Sequence, residues 1–86
     1  MRYNMIVKTA RYFDERVLIK RPEITKELVE SSLRQPLERI LQPDGRYRVW
    51  AFVPEKQKYL RIVLLEDGET VLNAFFDRDY IPTEST

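Results

Sequence analysis

Neither histidine nor cysteine occurs among the 86 residues of this chain. Without a thiol there is no disulfide, no thiolate zinc site and no cysteine nucleophile, a composition that suits a reducing compartment. Without imidazole there are no Ser-His-Asp triads, Cys-His dyads or histidine metal sites, and the side chain best placed to move protons near neutral pH is missing. Any chemistry therefore falls to carboxylates, lysine, tyrosine or arginine. Apolar runs are short as well. Nothing approaches the ~20 apolar residues of a membrane span, and Met1 to Ala10 is too short and too polar to act as a secretory signal. Gly-rich phosphate loops, paired-carboxylate spacings and metal-ligand motifs are likewise missing. The expectation is a cytoplasmic protein with no cofactor, no metal and no membrane partner. Charge of either sign is not in excess: 15 Lys and Arg against 14 Asp and Glu leave +1, so a nucleic-acid role needs local clustering of cations.

Glycine is scarce, and both glycines follow an aspartate, at Asp44-Gly45 and Asp67-Gly68. Asp-Gly between strand-forming runs is a strong hairpin signal, because glycine takes the positive φ of the turn and aspartate bonds to the nearby backbone. Arg46 to Val53, Tyr59 to Leu65 and Thr70 to Phe76 supply β-branched and aromatic residues in strand-length runs, and Leu37 to Leu41 precedes them as a shorter strand. The first third has a different period. Ile6, Ala10, Phe13 and Val17 recur every three or four residues and predict a helix from about Thr9 to Lys20, broken at Arg21-Pro22-Glu23. Thr25 is the predicted N-cap of a second helix, with Ile24 and Val29 as a hydrophobic staple, Glu27 in its first turn, Arg34 in its last and Pro36 as the stop. A chain of this size buries only ~60–65% of its unfolded surface, which fits one domain over 1–86 with a frayed tail at 82–86. The predicted fold is α+β: an N-terminal helical hairpin packed on one face of a four-stranded antiparallel sheet, in the order α-α-β-β-β-β.

Pairing register decides which side chains share a face. A type I turn with a glycine bulge at Asp67-Gly68 sets Leu64 near Thr70 and Ile62 near Leu72, which gathers Leu60, Ile62, Leu64, Leu72, Ala74 and Phe76 on one apolar face. The helices are expected there. The opposite face then carries Tyr59, Arg61, Val63, Val71, Asn73, Phe75 and Asp77, together with Arg46, Arg48, Trp50 and Phe52 from the preceding strand.

Arginines interleaved with aromatics match the needs of single-stranded RNA: rings stack on bases for ~1–3 kcal/mol each and guanidiniums grip phosphate bidentately. For RNA cleavage, Arg48 and Arg61 are the candidates to stabilise phosphorane charge, with Tyr59 or Lys58 as acid or base. Arg46, Trp50, Asn73, Phe75 and Arg78 are the candidates for binding RNA or a protein partner. Two other uses of the same residues stand beside this one. Trp50, Phe52 and Phe75 can close a second core layer with the N-terminal segment, or form an exposed protein-binding or homodimerising strip. Asp77 and Asp79 flank Arg78 as a base, a metal ligand pair or a surface ion-pair cluster, and Arg16, Lys20 and Arg21 end the first helix with charges that its dipole favours.

The stretch Lys58-Tyr59-Leu60-Arg61-Ile62-Val63, with Asp67-Gly68-Glu69-Thr70-Val71 and Asn73-Ala74-Phe75-Phe76-Asp77-Arg78, resembles a family of small, mostly uncharacterised bacterial proteins. The similarity runs from Tyr12-Phe13 and Arg21-Pro22 through Asp44-Gly45-Arg46 to Arg78. More broadly the chain is similar to the RelE/BrnT-like toxins. That resemblance implies a helical hairpin on an antiparallel sheet, an antitoxin partner and RNA cleavage. It departs from the smaller family's pattern at Leu72, where a histidine often stands, and nucleases of the RelE-like kind work with Arg, Lys, Tyr and Glu.

Overall fold

The computed structural model describes residues 7–82. Two helical segments precede a four-stranded antiparallel sheet of order β1-β2-β3-β4, with β1 Glu38–Leu41, β2 Tyr47–Val53, β3 Lys58–Leu64 and β4 Val71–Phe76. The α-α-β-β-β-β order is therefore the one the sequence predicts.

The first helix does not begin at Thr9. Thr9 forms a parallel bridge with Val71, and the flanking backbone bonds, Val71 N–H to Lys8 O and Ala10 N–H to Val71 O, are both 2.8 Å. This segment closes the outer edge of β4 instead of adding a helical turn. The helix that follows is π-helical over Phe13–Val17, where the Leu18 N–H reaches back to the Phe13 carbonyl, and ends as the α-helical turn α1, Leu18–Lys20. Phe13 and Val17 remain on one buried face. Ile6 lies outside the described residues. In α2, Lys26–Arg34, the Thr25 hydroxyl accepts from the Leu28 N–H at 3.1 Å, and the staple residues Ile24 and Val29 are both buried in the core.

The core lies between the helices and one sheet face. Phe13, Val17, Ile24 and Val29 pack with Val49, Val53, Leu60, Ile62, Leu64, Val71 and Ala74. Each of these side chains other than Ala74 contributes roughly 1.5–3 kcal/mol when fully buried. The Phe13–Val17 segment lies chiefly over β4 and α2 over β2. The helices thus cover the leucine-rich face, as expected.

At the second hairpin the register differs from the expected one. The Leu65 N–H donates to Thr70 O at 2.9 Å, so Leu64 faces Val71 and not Thr70. Val63 then pairs with Asn73 and Ile62 with Ala74, which leaves Leu72 as the extra residue of a β-bulge. Val71 takes the core position assigned to Leu72, because its outer backbone groups are held by Lys8 and Ala10 while its side chain meets the Leu64 side of the sheet. From Asn73 onward the expected faces hold. Gly68, at φ +72°, lies against the Arg39 guanidinium and the Tyr47 ring. Beside it, the Thr70 hydroxyl and the Thr70 and Glu69 N–H groups donate to Asp67 and hold its carboxyl down at about 2.

Candidate nucleic-acid interface on the free sheet face

Strand pairing brings the sequence-predicted residues together on the face opposite the helices. Trp50 lies beside Arg61, Phe52 beside Tyr59 and Arg48 beside Val63; on β4, Phe75 faces Arg61 and Asn73 faces Val63. Arg48 and Arg61 therefore share a face, and neither is under the helices.

Their exposure differs from the expectation for Trp50, which is only 6% exposed. The cover comes from the chain beyond β4. Tyr80 stacks on the indole with ring centroids 4.9 Å apart and planes 12° apart, and meets Tyr59 edge-on at 5.2 Å. The Tyr80 hydroxyl donates to Glu38 Oε1 at 2.7 Å. Burial, and then the Glu38 carboxylate, push the Tyr80 phenol up to about 12. Asp77 Oδ2 accepts from Trp50 Nε1 at 3.0 Å and lies 3.8 Å from Arg61 Nη1, while Asp77 Oδ1 accepts the Asp79 N–H. Asp77 is thus the negative group between Trp50 and Arg61, and Asp79 belongs to its turn. A second core layer does form around Trp50, but the C-terminal segment makes it.

The arginines keep free bonding capacity. Arg48 is half-buried; its Nε is shut off from solvent without an acceptor, and among the described residues no carboxylate pairs with it. Arg61 Nε is in the same condition, although its Nη1 faces Asp77. Arg61 also lies over the Phe75 ring at 5.1 Å and the Trp50 ring at 5.7 Å. Arg21 joins the site from the end of the first helix: its Nη1 is 3.5 Å from Asn73 Oδ1 and its guanidinium 5.8 Å from the Phe75 centroid. Arg21 and Arg61 therefore flank Phe75, and the carboxylates of Asp77 and Glu38 on this face are both engaged.

The other candidates stand further off. Arg46 is exposed at the entry to β2, its N–H bound to Asp44 Oδ1 at 2.9 Å. Tyr59 is half-buried between Phe52 and Tyr80. Lys58 is one residue out of phase with Tyr59, so it points from the helix side of the sheet, where its Nζ lies 5.6 Å over the Phe76 ring. Arg78 is exposed and borders a cleft of about 360 Å³ that Tyr59, Asp77 and Tyr80 also line. Arg16 and Lys20 border a separate cleft on the first helix.

No family model, curated protein or solved structure matches the chain. Sequence reasoning missed Tyr80, Glu38 and the contact of Arg21 with Phe75. Tyr80 was legible only as an aromatic beyond the last strand, and the turn that folds it back depends on the Asp77 side chain bonding to the Asp79 N–H. Among the described residues no helix is long and apolar enough to cross a membrane.

Proposed function

We propose that the free sheet face binds single-stranded RNA, with Arg48 and Arg61 taking phosphate oxygens and the rings beside them meeting bases. The observation that carries this is Arg48, a half-buried cation on the free face with which no carboxylate pairs among the described residues. A cation held half-buried without a counter-charge is costly, and a phosphate offers its Nη groups paired oxygens in the planar geometry a guanidinium prefers. Arg61 and Arg21 add charge on the same face, and Phe52 is the exposed ring on it. The α-α-β-β-β-β order supports a toxin-like, RelE/BrnT-type protein by analogy of fold alone. Binding is the proposal, and cleavage is not part of it: Tyr59 is engaged in aromatic packing and Lys58 points from the other side of the sheet.

The test is fluorescence anisotropy with a labelled short oligouridylate. Arg48→Ala and Arg61→Ala should each weaken binding about tenfold or more, the loss of one charge-assisted hydrogen bond. Lys56→Ala, in the exposed turn between β2 and β3, should leave it within about twofold. Equal losses in all three variants would mean a diffuse electrostatic contact with no site on this face.

A second use of the surface is favoured by one observation: Ile40, which pairs with Arg48, and Phe52 are exposed apolar side chains on this face, and Leu37 and Leu41 are exposed along the same β1 edge. They suit a protein partner or a second copy of the chain. Sedimentation of the purified protein across concentrations separates the two, since self-association through apolar contacts persists when salt disrupts RNA binding.

A further inference from the structure

Asp77 and Tyr80 contact Trp50 and Arg61 in the manner of a nucleotide. One carboxylate oxygen receives both the indole N–H at 3.0 Å and the approach of the Arg61 guanidinium at 3.8 Å, as a phosphate oxygen would. Three residues further on, a planar ring lies parallel to the indole at 4.9 Å and 12°, as a stacked base would. The segment is held at its far end by the Tyr80 hydroxyl on Glu38, and between the two anchors Arg78 and Asp79 form an exposed turn.

We infer that Trp50 and Arg61 form a nucleotide-binding site that the chain's own Asp77 and Tyr80 occupy, and that single-stranded RNA enters by displacing them. This rests on the face being an RNA surface, as proposed above. Each contact has a like replacement: a base ring takes the place of the phenol on the indole, and a phosphate oxygen takes the place of the Asp77 oxygen at Trp50 Nε1 and Arg61. The movement required is local. The Asp77 backbone stays in place, because its N–H is bound to Tyr59 O at 2.9 Å, so its side chain rotates away and Tyr80 swings out about the exposed turn. The cleft of about 360 Å³ beside Tyr59, Asp77 and Tyr80 supplies space next to the moving groups.

Trp50 is the only tryptophan of the chain, so its emission reports the site directly. Titrating the full chain with a short oligouridylate should quench that emission as a base replaces Tyr80. Tyr80→Ala should bind the same oligonucleotide roughly three- to tenfold more tightly, since the internal competitor is gone. Tyr80→Phe, which keeps the ring and removes only the hydroxyl bond to Glu38, should shift affinity in the same direction by about two- to fivefold. Should Tyr80→Ala fail to fold by circular dichroism, Tyr80→Phe and the wild-type quenching decide. The inference is overturned if the oligonucleotide binds in an Arg48-dependent manner while Trp50 emission stays constant and Tyr80→Phe binds no more tightly; the RNA surface would then survive without this site. If neither the wild-type chain nor the Tyr80 variants bind the oligonucleotide, the RNA surface itself falls, and the inference with it.

Discussion

Replacing Asp77 with alanine removes the acceptor on which the buried indole depends. Trp50 is 6% exposed, so its Nε1–H cannot turn to solvent once the 3.0 Å bond to Asp77 is gone. An orphaned buried donor costs about 1–3 kcal/mol. The Arg61–Asp77 pair adds less, because the side chains are 25% and 14% exposed at a separation of 3.8 Å; about 0.5–1 kcal/mol is appropriate after solvent screening. Together these give a loss of about 1.5–4 kcal/mol for Asp77→Ala, equivalent to a fall of roughly 6–30 °C in Tm for a domain of this size. Asp77→Asn keeps a neutral acceptor oxygen for the indole and should lose only about 1 kcal/mol. Urea unfolding followed by both Trp50 emission and far-UV circular dichroism measures the difference, with an unchanged m value as the sign that stability alone has moved. If both variants stay within about 0.5 kcal/mol of the wild-type chain, the indole N–H is satisfied elsewhere and the C-terminal segment does not hold the face closed.

Three further outcomes follow from the same contacts. Ile62→Ala, at a fully buried position on the helix side of β3, should lose about 2–5 kcal/mol in the same urea experiment. Gly68→Ala places a side chain at φ +72° and a Cβ 2.7 Å from an Arg39 guanidinium nitrogen, so about 1–2 kcal/mol of stability should go, against a near-neutral result if the turn relaxes freely. The Tyr80 phenol is raised to about 12 in the folded chain by burial and by Glu38, above its ordinary value near 10. The folded state therefore binds the proton more tightly than the unfolded one. The Tyr80 contribution is fully present below pH ~10 and is lost as pH rises toward ~12. Alkaline unfolding should show this loss in the wild-type chain and not in Tyr80→Phe.

The local signals in the sequence carry most of the fold. The positive-φ glycines of the two Asp-Gly turns, the alternation along β3, and the Thr25 cap with its Ile24–Val29 staple each depend on neighbours within a few residues, and each takes its expected form. The departures come from contacts between distant segments. The bulge at Leu72 answers the docking of Lys8 to Ala10 on Val71, and no short-range pattern announces that pairing. The same applies to the candidate site. Alternation placed Arg48, Trp50, Arg61, Asn73 and Phe75 on one face, but the closure of Trp50 depends on Tyr80 reaching Glu38, 42 residues earlier in the chain. Arg21 likewise belongs to the helix end by its position and to Phe75 by its reach.

The salt dependence of oligouridylate affinity, compared between the wild-type chain and Arg48→Ala, tests the RNA-binding face most directly. Each phosphate neutralised on a single strand adds about −0.7 to the slope of log K against log salt. The wild-type slope should be steep, and Arg48→Ala should flatten it by about that one increment. An affinity indifferent to salt, or a slope that the substitution leaves unchanged, would contradict phosphate recognition by Arg48.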